Sequence, residues 1–250
     1  MDILLKDRVA IVTGAGSGVG REITRVLCSE GAGVAAVDIN LEKAAETVEL
    51  VKGLAGKANA YKADVIDSQQ FQEVANRIIS DFGHIDILIN NAGYGIYKNF
   101  DASTIQDWMI DININLIGVL NCTRSVISHM KERKYGKILT IVSDAGRVGE
   151  PFFTTYSAAK AAAVGFSKAL AKEVGRDSIN VNCIALGTTK TPLILPFLTP
   201  EAEKKMLKRY PLNRLGLPAD SAYLAAFLVS DRASWITGQC FPVNGGYSMI

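Results

Sequence analysis

A tyrosine and a lysine lie four residues apart at the start of an alanine-rich stretch, YSAAKAAAVGF, which covers residues 156–166. In an α-helix, positions i and i+4 lie on one face about one turn apart, so Tyr156 and Lys160 would point the same way. A phenol beside an ammonium group suggests a device for proton transfer. The same spacing recurs at Tyr94 and Lys98, so the pattern alone does not decide between the two pairs.

Such side chains have to be positioned by strands and helices. Along the whole chain, short apolar runs typical of strands alternate with helical patterns. Strands are predicted at residues 8–13, 33–38, 58–64, 85–90, 137–143, 179–186 and 238–243. Helices are predicted near residues 18–30, 41–55, 68–82, 102–133, 155–176 and 219–230. This alternation predicts an α/β fold, a doubly wound seven-stranded parallel sheet with helices on both faces.

One segment interrupts the alternation. Residues 187–216 contain four prolines around the charged stretch EAEKKMLKR, and a fifth follows at Pro218. A long irregular insertion after the carboxyl end of a strand is where a substrate lid would lie. The chain shows no interdomain linker, repeat or low-complexity segment, so we expect residues 1–250 to form a single domain carrying this lid.

Composition excludes several classes of function. The net charge is only +2, so no strong field would recruit nucleic acid or an anionic membrane. Four scattered cysteines and two histidines favour reduced thiols over a disulfide framework, and predict that no metal is bound. No signal peptide or bilayer-spanning stretch is recognisable, so a cytoplasmic protein is expected.

A glycine-rich turn, TGAGSGVG, follows the first predicted strand and opens the first helix at residues 13–20. The G-x-G-x-x-G fingerprint is not literally present, because the glycines fall at positions 14, 16, 18 and 20. Glycines nevertheless permit a sharp turn and let the backbone approach a pyrophosphate at the helix N-terminus. A tight strand-to-helix turn without a ligand would look the same.

Asp38 ends the second predicted strand, 20 residues after Gly18. An acidic side chain there hydrogen-bonds the adenosine ribose hydroxyls of a dinucleotide and repels a 2′-phosphate. The neighbouring Ser17, Ile39 and Asn40 offer no cation to neutralise such a phosphate. The sequence therefore predicts a Rossmann-type site that prefers NAD to NADP.

Taken in order, these motifs resemble those of the short-chain dehydrogenase/reductase family over nearly the whole chain. The pattern T-G-x-x-x-G-x-G matches Thr13, Gly14, Gly18 and Gly20, and N-N-A-G matches Asn90, Asn91, Ala92 and Gly93. Further matches are the D-V pair at Asp64 and Val65, the N-L pair at Asn115 and Leu116, the serine at Ser143, and Y-x-x-x-K at Tyr156 and Lys160.

The resemblance implies an NAD-dependent oxidoreductase that interconverts a secondary alcohol and a ketone, with Tyr156, Lys160, Ser143 and Asn115 as its catalytic residues. Ser143 would hydrogen-bond the substrate oxygen, Lys160 would also bind the nicotinamide ribose, and Asn115 would hold a water that connects the lysine to solvent. The implied cofactor site comprises Gly14, Ser17, Gly18, Val19, Gly20, Asp38, Asp64, Val65, Asn91, Ala92, Gly93, Tyr156, Lys160, Thr189 and Thr191.

The resemblance also selects Tyr156 over Tyr94, which lies between glycines where no helix would align it with Lys98. A free tyrosine has a pKa of about 10, so a base at neutral pH needs that value lowered by ~3 units, or roughly 4 kcal/mol. One cation at ~4 Å contributes about that much at an effective dielectric constant of ~20. Lys160, assisted by the positive nicotinamide ring, is expected to lower the pKa of Tyr156.

One departure concerns the loop after the sixth strand. The family has Pro-Gly where this chain has Leu186-Gly187, and the missing proline removes a fixed φ. We expect a looser loop there, with the catalytic residues unaffected.

The substrate is indicated more weakly. The stretches NAGYGIYKNF and SDAGRVG resemble family members that act on β-hydroxyacyl-CoA thioesters, especially cyclic or aromatic ones. Candidate substrate contacts are Ser143, Arg147, Tyr94, Phe153 and Gly187. Lys204, Lys205, Lys208 and Arg209 would either attract the CoA diphosphate or form a solvated helix face paired with Glu201 and Glu203.

Three alternatives stay open: a dehydrogenase of a free secondary alcohol (polyol, sugar or steroid), a 3-oxoacyl reductase, and a catalytically silent NAD-binding partner subunit. The helices near 102–133 and 155–176 carry more apolar surface than one sheet face needs, and in the family such helices pair between subunits. We therefore expect a homotetramer, with a hetero-partner not excluded.

Overall fold

A computed structural model describes residues 3–250 of the chain. Its sheet has seven parallel strands in the order β3-β2-β1-β4-β5-β6-β7. They are β1 (Val9–Thr13), β2 (Gly33–Asp38), β3 (Lys57–Lys62), β4 (Ile87–Asn90), β5 (Gly136–Ser143), β6 (Ile179–Leu186) and β7 (Cys240–Val243). The prediction of a doubly wound seven-stranded parallel sheet is confirmed.

Helices cover both faces of this sheet. They are α1 (Gly18–Ser29), α2 (Leu41–Leu50), α3 (Ser68–Phe82), α4 (Ile105–Ile112), α5 (Gly118–Arg133), α6 (Ala145–Val148), α7 (Thr154–Val174), α8 (Pro200–Leu207) and α9 (Pro218–Leu228). Side chains alternate along each strand, so Ala10 and Val12 pack toward α1 and α9 while Val9 and Ile11 pack toward α3, α5 and α7. Two apolar cores result, one on each face.

The strand order reverses between β1 and β4, and this reversal opens a crevice at the carboxyl ends of the strands. Thr13, the last residue of β1, ties the two halves together across the crevice. Its hydroxyl accepts hydrogen bonds from the backbone amides of Asn91 and Ala92, both at 3.0 Å. The segment after β4 is thereby fixed beside the glycine turn.

The predicted helix at 102–133 is correct in extent but not uniform. A π-helical turn, Asn113–Ile117, joins α4 to α5 without a break. The prediction that α2 runs to residue 55 is wrong: the helix ends at Leu50, and Gly53 has a φ of +84° that a helix cannot accommodate.

The proline-rich segment 187–216 is not wholly irregular, since it contains α8, which begins with the side chain of Thr199 accepting from the amide of Ala202. Among residues 3–250, none of the helices combines the length and apolarity needed to cross a membrane.

Candidate active site

Three elements bring the predicted catalytic residues together at the carboxyl end of the sheet. Ser143 is the last residue of β5, Tyr156 and Lys160 lie on the first two turns of α7, and Asn115 lies in the π-helical turn. The alanines between Tyr156 and Lys160 favour helix, so the two side chains share one face of α7 as predicted.

The Ser143 hydroxyl lies near the Tyr156 phenol and lowers the pKa of Tyr156, although burial has the larger and opposite effect. The Ser143 hydroxyl is oriented by the backbone, since it accepts from the amide of Ala145 at 3.2 Å and donates to the carbonyl of Leu186 at 3.5 Å. The two hydroxyls therefore face one point, where the oxygen of an alcohol or ketone would be held.

Lys160 is buried beneath this pair. Its Nζ donates to the backbone carbonyl of Ile141 at 3.0 Å and lies 5.6 Å from the centroid of the Tyr156 ring. Gly93 makes room for it, because a Cβ there would be 3.2 Å from the ammonium and 3.1 Å from Oδ1 of Asn115. A side chain at position 93 would push the lysine and the asparagine apart.

The expected low pKa of Tyr156 is not present in the chain alone. Burial of its hydroxyl raises the pKa of Tyr156 to about 12, with the Ser143 hydrogen bond opposing this rise and the charge of Asp111 adding to it. Burial likewise lowers the pKa of Lys160 to about 8. The ammonium donates to Ile141 and also lies over the Tyr156 ring. That Lys160, assisted by the positive nicotinamide ring, lowers the pKa of Tyr156 stays a prediction.

Asn115 has no exposed surface. Its Nδ2 donates to the carbonyl of Tyr94 at 2.6 Å and to that of Asp111 at 2.8 Å. Helices with π geometry are common at functional sites, where the extra residue per turn re-aims a side chain. The π-helical turn here aims Asn115 at the loop that follows β4.

The glycine turn has the shape that a bound pyrophosphate needs. Gly14 and Gly18 have φ values of +63° and +53°, and a Cβ on Gly20 would lie 2.3 Å from the carbonyl oxygen of Gly14. Asn91 packs into this turn and donates to the carbonyls of Thr13 and Gly14 at 2.9 and 3.2 Å. The turn is thus closely packed against Asn91, and its lack of side chains leaves the backbone accessible to a ligand.

Asp38 lies beside this turn. Its carboxylate accepts from the amides of Gly16 and Asn40, both at 2.9 Å. The predicted neighbours Ser17, Ile39 and Asn40 offer no cation, but the stem of Lys43 lies close to this turn: a Cβ on Gly16 would be 2.7 Å from the Cβ of Lys43 and 2.8 Å from Oδ2 of Asp38. Arg21 also reaches this turn, where it donates to the carbonyl of Gly16, but it is paired with Glu46 at 2.9 Å.

The remaining predicted cofactor residues line the same crevice. Thr191 reaches across from the lid segment, since its Cγ2 would be 3.1 Å from a Cβ on Gly18. Thr189 is nine-tenths buried and bridges to Gly216, and Val65 packs on Gly118 below Asp64. Ser17 precedes α1, and Val19 and Gly20 are buried in its first turn.

The loop with Leu186 and Gly187 is held at both ends. The carbonyl of Leu186 accepts from the amide of Asp144 at 2.9 Å, and Gly187 donates to the carbonyl of Val243 at 3.1 Å. These bonds fix the backbone next to Ser143 without a proline.

Aromatic rings form one wall of the site. Phe153 lies 5.6 Å from Tyr156 and 5.2 Å from Tyr97, and Tyr97 lies 5.0 Å from Phe152, all measured between ring centroids. We call these four residues the aromatic wall. Tyr94 is not part of this wall and is 45% exposed. As predicted, residues 91–99 are not helical, so Tyr94 and Lys98 are not aligned.

Arg147 is engaged within the chain. Its guanidinium pairs with Asp144 at 2.9 Å and donates to the backbone carbonyl of Ile250 at 2.6 Å. Its role in substrate binding stays a prediction, and these contacts do not support it.

The lid cations divide into two groups. Arg209 pairs with Glu150 at 2.9 Å, and Lys190 pairs with Glu203 at 2.5 Å. For Lys204, Lys205 and Lys208, no acidic partner is found within residues 3–250. The alternative in which these lysines pair with Glu201 and Glu203 is therefore not what residues 3–250 show, since Glu203 pairs with Lys190 and no ion pair of Glu201 with them is present.

The part of the chain that the structure describes brings together no three His, Cys, Asp or Glu side chains that could hold a metal ion.

Two residues of the site were not identified from the sequence. A Cβ on Gly95 would lie only 3.0 Å from Cδ2 of Tyr156, and Asp111 is a buried carboxylate one helical turn before Asn115. A single acid inside the apolar run WMIDININL was the available signal for Asp111; for Gly95 there was none.

A family model described as "Enoyl-(Acyl carrier protein) reductase" matches residues 14–248. With relatives at 37–38% identity over nearly its full length, the chain belongs to the short-chain dehydrogenase/reductase family. It is an oxidoreductase that acts on CH–OH groups, as the resemblance implied.

Particular relatives differ in what they act on. The chain is 38% identical to 3-oxoacyl-(acyl-carrier-protein) reductase FabG of Thermotoga maritima, over 97% of this chain and 98% of that protein. It is 37% identical to (2S)-((R)-hydroxy(phenyl)methyl)succinyl-CoA dehydrogenase subunit BbsD of Thauera aromatica, over 98% of both. A solved structure of 7α-hydroxysteroid dehydrogenase complexed with NADH and 7-oxo glycochenodeoxycholic acid matches with a TM-score of 0.94 at 38% identity, covering 98% of this chain and 96% of that chain.

Proposed function

We propose that this protein is an NAD-dependent dehydrogenase of a β-hydroxyacyl-CoA thioester whose acyl group carries a ring. The observation that carries the proposal is the pattern of charge at the site. Arg147 and Arg209 are both neutralised by acids of the same chain, whereas Lys204, Lys205 and Lys208 on the lid have no such partner. Such a site suits a substrate that is uncharged near the reacting carbon and anionic farther away.

The reacting end of the substrate would be held by the two hydroxyls. Ser143 donates to the substrate oxygen, and Tyr156 takes the hydroxyl proton during oxidation or returns it during reduction. Lys160 provides a positive charge below the phenol at neutral pH, and Asn115 fixes the loop that carries Gly93 and Tyr94. A proton leaving Tyr156 has to travel past these buried groups to solvent.

The residues at the glycine turn fit a dinucleotide. Positive φ at Gly14 and Gly18 and the absence of a Cβ at Gly20 leave room for phosphates at the N-terminus of α1. Asp38 would accept from the ribose hydroxyls, and Thr189 and Thr191 would face the nicotinamide half. When bound, the nicotinamide supplies the acceptor for the carbinol hydrogen and its two electrons.

The aromatic wall supports a ring in the substrate. Its edges and faces are offset at 50–62°, an arrangement into which a further flat or cyclic group can pack. Among the relatives, BbsD is named for a substrate that carries both a phenyl group and a CoA thioester.

The substrate proposal is tested by comparing initial rates of NAD reduction. A 3-hydroxyacyl-CoA bearing a phenyl or cyclohexyl ring should be oxidised with a kcat/KM at least ~100-fold above that of its free acid, because several phosphate contacts are lost with CoA. Equal rates for thioester and acid would refute the proposal. Faster turnover of a steroid or a free cyclic alcohol would favour the second candidate, which the steroid-bound structural relative supports.

The lid lysines have a test of their own. Replacing Lys204, Lys205 and Lys208 together by alanine should raise the KM for the CoA thioester about tenfold and leave the KM for a small free alcohol unchanged. Lys62→Ala, an exposed lysine on the edge strand β3, is the matched control and should change neither. A triple variant with an unaltered thioester KM would remove α8 from the proposed site.

Cofactor preference is testable at Asp38. The parent should use NAD at least tenfold better than NADP, because the carboxylate repels a 2′-phosphate. Asp38→Asn should lose this preference. Adding Lys43→Ala should then weaken NADP binding again, since Lys43 lies near this turn and, unlike Arg21, forms no ion pair within residues 3–250. A parent enzyme that prefers NADP would refute the assignment of NAD.

We also propose that the chain forms a homotetramer. Support comes from α4 and the π-helical turn, which expose Ile105, Met109, Ile110 and Ile117 on the surface of the described chain. Light scattering should give about four times the chain mass of 26.9 kDa, and a monomer would contradict the proposal.

A further inference from the structure

Asp111 is a buried acid beside the active site to which the proposed reaction assigns no task. It is 3% exposed and lies on α4, four residues before Asn115, so the two side chains leave the same side of the helix. Buried carboxylates are costly unless their oxygens are hydrogen-bonded, so the contacts of this one indicate what it does.

The Asp111 carboxylate joins two segments that border the site. Oδ1 accepts from the backbone amide of Ile96 at 3.1 Å, in the loop that carries Tyr94 and Tyr97. Asp111 also faces the first turn of α7, because it lines one small cavity together with Thr154 and Thr155. The nearby backbone amide of Tyr156 lowers the pKa of Asp111, against the larger effect of burial. The carbonyl of Asp111 in turn accepts from Nδ2 of Asn115 at 2.8 Å.

The catalytic helix lacks a cap of its own. Its N-cap residue is Phe153, whose side chain accepts no hydrogen bond, and the first helical bond runs from the amide of Ser157 to the carbonyl of Phe153. The Tyr156 amide therefore belongs to the first-turn donors that have no partner within a helix. Asp111 lies at this end of α7 from a different helix, so its negative charge is placed at the positive end of the helix dipole, where these amides point.

The charged groups around Asp111 are few. Asp107, one turn earlier on α4, raises the pKa of Asp111 through its charge, although burial has the larger effect in the same direction. Asp107 is itself paired with Lys98 at 2.7 Å. From α7, the group that faces Asp111 is the Tyr156 phenol, whose pKa the Asp111 charge raises.

We infer that Asp111 is a positioning residue for the Tyr156 base: it fixes the first turn of α7 to the substrate loop and keeps an anion near the phenol. The inference rests on the proposed role of Tyr156. A carboxylate at this position has two opposite effects. Its charge raises the pKa of the phenol because it disfavours the phenolate, while its contacts hold the backbone of Tyr156 in place.

The test compares Asp111→Asn, which keeps the shape and one acceptor oxygen but removes the charge, with Asp111→Ala, which removes both. Asp101→Asn, an exposed acid in the 3₁₀ turn before α4, is the control. For each variant, kcat and KM for alcohol oxidation are measured from pH 6 to pH 10 on the substrate that the parent turns over fastest, with NADH binding as a check of folding.

The expected results separate position from charge. Asp111→Ala should lower the plateau kcat at least ~10-fold with NADH affinity unchanged, because the Tyr156 backbone loses its anchor. Asp111→Asn should retain more of the plateau and should move the acidic limb of kcat/KM to lower pH by ~0.5 unit, a threefold change in the deprotonated fraction. A merely structural role would not move that limb.

Two results would overturn the inference: a plateau within twofold of the parent for Asp111→Ala, or an unshifted limb for Asp111→Asn. If Asp111→Ala does not bind NADH, the limb measured with Asp111→Asn decides alone. Tyr156→Phe separates failure of the proposed base from failure of the role given to Asp111. A fully active Tyr156→Phe enzyme would overturn Tyr156 as the base. If that enzyme is inactive, the Asp111 variants alone decide whether Asp111 positions Tyr156.

Discussion

Gly95 is the residue whose replacement tests the geometry of the site most directly. A Cβ at this position would lie 3.0 Å from Cδ2 and 3.2 Å from Cγ of Tyr156, and 3.2 Å from Cε1 of Phe153. Ordinary carbon–carbon contacts are about 3.5–4.0 Å. In Gly95→Ala the two rings therefore have to move by about half an ångström or more, away from the loop and toward the site.

The magnitude follows from overpacking and misplacement. Inserting a methyl group into a well-packed region costs about 1–3 kcal/mol. A displacement of about 1 Å at a reacting group costs up to ~100-fold in rate, so a shift of half that size is expected to lower kcat by roughly tenfold. The affinity for NADH should not change, because Gly95 does not contact the glycine turn.

The assay is kcat at saturating substrate together with thermal unfolding of the same preparations. Gly175→Ala is the matched control: Gly175 directly follows α7, has an α-helical φ of −59°, and has no atom within 4 Å of an added Cβ. It should keep full activity. If Gly95→Ala has parental kcat and stability, the Tyr156 ring is not confined as the structure describes, and the argument from close packing fails.

Further predictions concern buried groups. Lys160→Met should abolish turnover yet raise the free energy of unfolding of the cofactor-free protein at pH 7. A folded-state pKa of about 8, against 10.5 for a free lysine, means that the buried charge costs about 3 kcal/mol of stability, which the substitution removes. The Ile141 carbonyl loses its donor in the variant, which offsets about 1–2 kcal/mol of this gain. Because the folded pKa is depressed, this stabilisation is fully present below about pH 8 and should fade as pH rises toward 10.5, and urea unfolding of both proteins at pH 7 and 10 measures it. Gly20→Ala should prevent NADH binding, measured by fluorescence titration, because its Cβ would meet the carbonyl oxygen of Gly14 at 2.3 Å. Thr13→Val should lower the free energy of unfolding by about 1–3 kcal/mol, since the amides of Asn91 and Ala92 would lose their shared acceptor; unchanged stability would contradict the role given to Thr13.

Much of the frame was predictable because its signals are local. Runs such as VAIVT and GVAAVD are β-branched and bounded by glycine or polar turns, so β1 and β2 were recognised within a residue of their ends. Helical spacing placed Tyr156 and Lys160 on one face of α7, and the family resemblance selected this pair over Tyr94 and Lys98. The order of motifs along the chain then placed Ser143 and Asn115 beside it.

The rest depended on contacts between distant segments. Spacing puts Lys160 and Tyr156 on one face, but it does not reveal that the ammonium turns to Ile141 on β5. Likewise, the sequence places Glu203 near the lysines of α8, but it does not reveal that Glu203 pairs with Lys190, which follows β6. Asp111 and Gly95 matter only because α4 and the loop after β4 meet α7 in space.

The π-helical turn at Asn113–Ile117 has a consequence for how this region tolerates insertions and deletions. A π-turn holds one residue more than an α-turn, so deleting a single residue there could restore a continuous α-helix without breaking the chain path. Because the wider turn absorbs its extra residue, the side chains of α4 and α5 would keep their phase after such a deletion, whereas those within the turn would change direction. Such a variant would keep its helical content, yet Asn115 would no longer be aimed at the loop that follows β4.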